Sequence, residues 1–236
     1  FMELLRKIYG QKWEDKLDSF VFGSSDELDI DSTHINFPLI VKEPQGAQSR
    51  GVYLASNNNR LKKITKRISR FFNLFYDVKD LLRPIRHKGY LRESLYRKKF
   101  IIQKFIPNLN HDWKVLIFHD KYFIFSRPTK KNDFRASGSG VEKYKYGSKC
   151  KYPNGIFDYA RKISKTLNTP TLSLDIAFDG ESFHLLEFQA LYFGTVGFTK
   201  SDVYFKLINN NWDKIEKKES LEEIYADSIV DFIENK

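Results

Sequence analysis

An α+β protein built on antiparallel sheets is what this sequence predicts, on three observations. Apolar runs double back: 39–41 with 52–54 across a glycine-bearing loop, 113–118 with 122–126 about His119-Asp120-Lys121, and 171–178 with 182–189 about Asp179-Gly180. Strands joined by tight turns pair antiparallel. Between them the apolar period changes to that of a helix, with Leu61, Ile64, Ile68, Phe71, Phe75, Val78 and Leu82 at alternating steps of three and four, and Ile156, Ala160, Ile163 and Leu167 likewise. Finally, 236 residues, 41% hydrophobic with 21 Phe and 13 Tyr, are enough for one large core or two small ones.

Composition excludes several classes. The chain is too apolar to be disordered. It contains no run near the ~20 apolar residues that span a bilayer, and no signal-peptide pattern at its start, so the cytoplasm is the expected compartment. One cysteine, Cys150, rules out an internal disulfide and a cysteine-based zinc cluster. In its Lys- and Tyr-rich surroundings it reads as exposed and incidental. The net charge of +10 is concentrated in 60–99, where fourteen Lys and Arg face three acids, a balance of +11. The basic character therefore belongs to one segment.

In chain order, Phe1 to Tyr9 reads as the end of a helix stopped by Gly10, with periodicity already under way at Phe1, which points to an upstream part. Phe20-Val-Phe22 reads as a strand, and Ser25 as the cap of a brief acidic helix. Leu39-Ile40-Val41 is a buried strand that delivers Lys42 to a loop carrying Gly46, Ser49 and Gly51. Glycines let backbone N–H groups close over a polyanion, and a lysine adds a point charge. A plain strand followed by a surface turn accounts for this stretch equally well.

The basic segment reads as one amphipathic helix over 61–82, ended by Pro84. Such a helix suits an anionic membrane surface or an acidic glycan, and equally an ordinary packed helix with solvated lysines. Its aromatics fall on the apolar stripe, which argues against nucleic acid. Phe100 to Ile106 is a continuous apolar strand. Asn154 reads as the cap of the helix over 156–167, and 190–197, with Gly194 and Gly197, as a loop that reaches an acceptor substrate. The final helix, capped near Ser220, places Leu221, Ile224, Tyr225, Ile229, Phe232 and Ile233 on one face.

The strongest signal from residues alone is the last hairpin. Asp175 and Glu187 are twelve apart about a turn near 180–181, hence nearly opposite, and Gln189 shares the face of Glu187. Two carboxylates and an amide oxygen together suit a hard cation such as Mg²⁺. A solvated sheet face with scattered polar residues is the plainer reading.

Taken in order, Lys42 with its glycine loop, Gln103-Lys-Phe-Ile-Pro107, Asp112-Trp-Lys114, Arg127, Asp133-Phe-Arg-Ala-Ser-Gly-Ser-Gly140, Leu174-Asp-Ile-Ala177 and Leu186-Glu-Phe-Gln189 resemble the ATP-grasp superfamily of carboxylate ligases over 37–197. The resemblance implies two α+β subdomains gripping ATP between antiparallel sheets: 1–36 as the end of an N-terminal domain or linker, 37–106 as the lid with a helical insertion at 57–99, and 107–236 as the C-terminal subdomain. It implies nucleotide contacts at Lys42, Gly46, Ser49, Gly51, Gln103, Lys104, Ile106 and Asp112. Arg127 and Arg135 would face the reacting phosphate, and Asp175, Glu187 and Gln189 would hold Mg²⁺.

The implied reaction joins a small-molecule carboxylate to an amine through an acyl phosphate, with sugar acids of cell-surface polysaccharide among the candidate substrates. The basic segment extends the expectation to peripheral attachment at the inner membrane face, and self-association stays open. Two positions depart from the family pattern: Lys114 stands for arginine and Gln189 for asparagine. They leave room for a catalytically weak ATP-binding regulatory protein.

Overall fold

A computed structural model describes residues 19–28, 36–44, 51–107, 109–129, 135 and 143–234. The chain divides into two compact units, Phe1–Phe105 and Ile106–Lys236. The helix expected over Phe1 to Tyr9 lies outside the described residues.

The first unit contains β1 (Ser19–Phe22), β2 (Leu39–Lys42), β3 (Val52–Ala55), α1 (Asn58–Ser69), α2 (Leu74–Arg86) and β4 (Phe100–Lys104). The strands form an antiparallel sheet in the order β1-β4-β2-β3. Ser19–Phe22, expected to belong to a linker, is thus an edge strand of this sheet, paired to β4 from Ser19↔Gln103 to Phe22↔Phe100. The cap expected at Ser25 is supplied by Ser24, whose hydroxyl accepts from the Asp26 amide at 3.0 Å, and the brief acidic helix is a single 3₁₀ turn, Ser25–Glu27.

Alternation in β2 sends Leu39 and Val41 into a core with Ala55, Phe100 and Ile102, sealed by Leu61, Ile64 and Ile68 of α1. Lys42 projects to the opposite face, the one that also carries Ile40 and Gln103. At Gly51 the backbone takes φ +74° and its carbonyl accepts from the Glu43 amide at 2.9 Å, closing the chain back into β3.

The single helix expected over 61–82 is two helices. The Asn57 side chain caps α1 by accepting from the Arg60 amide (2.9 Å), and the Asn73 side chain caps α2 by accepting from the Tyr76 amide (3.0 Å). Asparagine at each start competes with helix continuation and resets the chain. Pro84 does not end α2, which runs on to Arg86.

The second unit holds β5 (His111–Phe118), β6 (Lys121–Pro128), β7 (Lys145–Tyr146), α3 (Ile156–Leu167), β8 (Thr171–Phe178), β9 (Phe183–Gln189), α4 (Val196–Lys200), β10 (Val203–Ile208), β11 (Asn211–Glu216) and α5 (Leu221–Glu234). Its sheet runs β11-β10-β6-β5-β8-β9, with β7 added beside β6. One face, bearing Ile117 and Tyr122, is covered by α3, whose Phe157 meets Tyr122, Phe205 and Trp212. The cap of α3 is Gly155 at φ +84°, not Asn154. On the other face, Leu116, Phe118 and Phe123 pack beneath Phe193, Phe198, Tyr204 and Ile224.

Gly197 lies in α4 against this core and is a packing residue, in contrast to the substrate-reaching loop expected there. A Cβ on it would stand 2.4 Å from Phe125 Cε1 and 3.0 Å from Leu116 Cδ1. Helix α5 starts with a reciprocal cap: the Glu223 amide donates to Ser220 Oγ at 3.2 Å, and the Ser220 amide to Glu223 Oε2 at 2.8 Å. Of its expected apolar face, Ile224 is buried while Ile229 and Ile233 are exposed. Cys150, expected at the surface, is buried, and burial pushes its thiol up to about 11.

Gly197→Ala is expected to lower unfolding free energy by about 1–3 kcal/mol, since Phe125 must move. Gly194→Ala, with no atom near its added Cβ, should leave denaturant unfolding unchanged; equal losses in both variants would contradict this packing.

Candidate functional site

Pleat and register gather a charged row on one face of the second sheet. Asp112 and Arg127 are partners across β5 and β6, Lys114 and Asp175 across β5 and β8, and Asp175 and Glu187 across β8 and β9. Arg127 forks onto Asp112, with Nε donating to Oδ1 at 2.6 Å and Nη2 to Oδ2 at 2.7 Å. The same Nη2 donates to Asp175 Oδ2 at 2.8 Å, and Lys114 Nζ donates to Asp175 Oδ1 at 2.8 Å. The planar two-point grip expected of an arginine at 114 is thus made by Arg127, while Lys114 acts as a point charge on the neighbouring carboxylate.

A β-bulge brings Glu187 into this row. Phe178↔Phe183 closes the hairpin and Ile176 pairs Leu185, a register that continued unbroken would put Asp175 opposite Leu186. One extra residue in β9 shifts the pairing between Ile176 and Asp175, so Glu187 takes the place opposite Asp175. Gln189 then pairs Ser173, and its Nε2 donates to Glu187 Oε1 at 3.0 Å. The turn itself is held by Asp179, which accepts from the amides of Glu181 and Ser182 and from His184 Nε2 at 2.7 Å. His184 is therefore a turn-bracing residue.

The charges set the protonation states. Burial by itself raises the Asp175 carboxyl, but Arg127 and Lys114 outweigh it and hold it down at about 2. Asp112 is buried too and shares its one close cation with Asp175; burial pushes it up to about 6. The carboxylate with two cations is the better stabilised anion. Glu187 is exposed at the end of the row.

The other expected residues are spread over both units. Lys42 and Gly51 are in the first unit, at the end of β2 and just before β3. Gln103 is buried, and its Nε2 donates to Ser19 Oγ at 2.9 Å, so that side chain braces the β1–β4 edge. Lys104 ends β4 exposed, and Ile106 lies just beyond it, half-buried. Arg135 is half-buried. Gly46, Ser49 and the rest of the 133–140 loop lie outside the described residues.

The donor chemistry fits Mg²⁺. Asp175 and Glu187 offer carboxylate oxygens from facing positions, and each carboxylate oxygen has a second lone pair beyond the one used in a hydrogen bond. The Gln189 amide nitrogen is spent on Glu187, which leaves its oxygen as the donor atom. Among the described residues no cluster of three or more His, Cys, Asp or Glu forms a metal site, so any cation here takes the rest of its coordination from a ligand.

No family model and no curated protein matches the sequence. Solved structures do. The L-amino acid ligase of Bacillus licheniformis aligns with a TM-score of 0.53 at 14% identity, over 83% of this chain and 44% of that one. The fold is ATP-grasp. Also similar are D-alanine–D-alanine ligase from Bacillus anthracis complexed with ATP, at 0.48, 15% identity, and 80% and 53% coverage, and a RimK domain ATP-grasp protein from Sphaerobacter thermophilus, at 0.45, 13% identity, and 81% and 58%. This chain spans about half the length of the structures it matches.

The bulge is the feature that counting across the hairpin misses. Its signal is a parity mismatch: Phe178 and Phe183 flanking the turn put Leu186, not Glu187, opposite Asp175. Replacing Lys114 with methionine is expected to raise the Asp175 titration, because one of its two cations is lost. Asp175 contributes stability above the ordinary carboxylate value of about 3.9, and this is lost as pH falls toward about 2. In the variant the loss should still begin near the ordinary carboxylate value but be complete at a higher pH, so that Asp175 contributes less stability in total. Carboxyl-carbon NMR of Asp175 reads the shift directly, and an unmoved titration would show that Lys114 does not hold it.

Proposed function

We propose that this chain is the nucleotide-using part of an ATP-dependent ligase that activates a carboxylate for attack by an amine. The observation that carries the reading is the facing pair Asp175 and Glu187 beside Arg127 and Lys114, brought opposite each other by a bulge in β9. In the reaction, a substrate carboxylate oxygen takes the γ-phosphoryl group and ADP leaves. The amine nitrogen then attacks the acyl carbon, phosphate departs and the amine loses a proton. Phosphoryl transfer of this kind depends on positioning and charge neutralisation more than on covalent help from side chains.

Each side chain has a part in that scheme. Asp175, Glu187 and Gln189 would hold Mg²⁺, which when bound neutralises phosphate charge. Lys42, delivered by a rigid central strand, would hold a phosphate oxygen, and Gly51 lets the loop before it turn closely. Lys104 and Ile106 would meet the adenine through main-chain groups. Arg135 would face the transferred phosphoryl. Arg127, gripped by two carboxylates through Nε and Nη2, would act by fixing Asp175 and Asp112. The +11 segment favours an acidic substrate, and sugar acids of polysaccharide are the class we put first.

A second reading has one observation in its favour. Both Asp175 oxygens already accept from cations, so this chain would bind ATP with little turnover and serve a regulatory role. ADP release separates the two.

Glu187→Ala is expected to lower ADP release, screened with amino acids and uronic acids as substrates, by about a hundredfold or more, with the circular dichroism spectrum retained. Full activity in that variant would overturn the metal assignment. Lys42→Ala should weaken nucleotide binding about tenfold or more, the loss of one charged hydrogen bond. Equal affinity by calorimetry would remove Lys42 from the site.

A further inference from the structure

Helix α2 is mounted with its polar side inward. Its one buried residue is Asp80. Asp80 Oδ1 accepts from the Tyr90 hydroxyl at 2.6 Å, the Tyr76 hydroxyl donates to Glu93 at 2.8 Å, and Arg83 Nη1 donates to Tyr90 Oη at 2.9 Å. The Arg97 guanidinium lies over the Tyr76 ring at 4.7 Å, and Arg92 Nε is 3.6 Å from Asp80. These contacts bind the polar side of α2 to the segment 87–97, which itself returns beside α1 through Phe71 N–Leu95 O and Lys98 N–Ser69 O, both 2.8 Å.

The opposite side is apolar and uncovered. Leu74, Phe75, Val78, Leu81, Leu82 and Ile85 recur at the spacings that place them on one stripe, and all six are exposed, Phe75 and Ile85 by 81% each. Phe72 just before the helix and Leu91 after it are exposed as well. Six large apolar side chains in one continuous stripe exceed what single scattered surface residues explain. Lys79 and Arg86 fall at the edge of this stripe by helical spacing, and the whole 60–99 segment carries +11.

We propose that the apolar face of α2 docks into the interface of an anionic lipid bilayer, with Phe75 and Ile85 entering the acyl boundary and Lys79 and Arg86 meeting the headgroups. Charge decides between this occupant and a second copy of the chain. Pairing two α2 faces would bring two segments of +11 together and be opposed by their repulsion, whereas an anionic surface supplies apolar interior and counter-charge at once. No described helix is long and apolar enough to cross a membrane, so α2 lies in the interface plane. The docking element differs from the one the periodicity of 61–82 suggested: the apolar side of α1 is spent on the first unit's core, and of the two helices it is α2 that presents an apolar stripe outward.

The test is flotation of the full chain with phosphatidylcholine vesicles, with and without phosphatidylserine. Binding is expected only with the anionic lipid, falling about tenfold or more in Phe75→Glu/Ile85→Glu and weakened by salt. Both substitutions are at exposed positions, and thermal melts check that the fold persists. In Phe75→Trp, the emission of the new indole should shift to the blue on anionic vesicles. Three results would overturn the proposal: no binding by the wild type, binding that survives the double substitution, or light scattering that shows the face consumed by dimerisation without vesicle binding. None of these measurements depends on nucleotide, so failure here leaves the ligase reading standing.

Discussion

One guanidinium shared by two carboxylates, Asp112 buried and Asp175 partly buried, organises the second unit. Arg127 makes two bonds to Asp112 and one to Asp175, and Lys114 completes the set, so two negative and two positive charges are held in one compact group. Taking such charges from water costs several kcal/mol per ion, and only close geometry offsets it. The compensation here comes from the sheet: cross-strand partners on β5, β6 and β8 are placed by backbone hydrogen bonds, so the side chains meet without much further ordering. Asp175, gripped by Arg127 and Lys114 together, is the better stabilised anion of the two, although both aspartates share the same arginine.

That neutral group has a consequence for the position next to it. Glu187 adds a negative charge at the exposed end of a row whose other charges cancel, and Gln189 braces it. A carboxylate in this place, backed by a fixed Asp175, is suited to a cation that brings its own anionic ligand. The same face is filled farther along β5 and β6 by Leu116, Phe118 and Phe123 under Phe193 and Phe198. Apolar packing at one end of the face and ionic packing at the other thus come from the same alternation.

Helices α1 and α2 of the first unit divide one amphipathic pattern between opposite duties. In α1 the apolar residues fill the core and the lysines are solvated, as burial of apolar area requires. In α2 a network of tyrosine, arginine and acid groups anchors the polar side instead, and the apolar side is left outward. Periodicity reports that a helix has two unlike sides. It carries no information about which side meets the protein, because that depends on partners from 90–97 that lie far along the chain.

Much of the architecture was legible in the residues: the hairpins about His119-Asp120 and Asp179-Gly180, the helix over 156–167 and the pairing of 39–41 with 52–54 all rest on local period and turn chemistry. The hairpin of β10 and β11 was not foreseen, though Asn209 and Asn210, both at positive φ, are the turn residues that announce one. The candidate carboxylates were legible as near-opposite residues of one hairpin, and the period of two put Gln189 on the face of Glu187, but unbroken counting from Phe178 and Phe183 puts Leu186 opposite Asp175. Tertiary structure alone decided that Arg127 serves two aspartates, that Gln103 is spent on Ser19, that Cys150 is buried, and that a bulge at Leu186 sets Glu187 opposite Asp175. Each of these depends on which strand lies beside which and in what register, and register is fixed by contacts between residues tens of positions apart, beyond the reach of any local pattern.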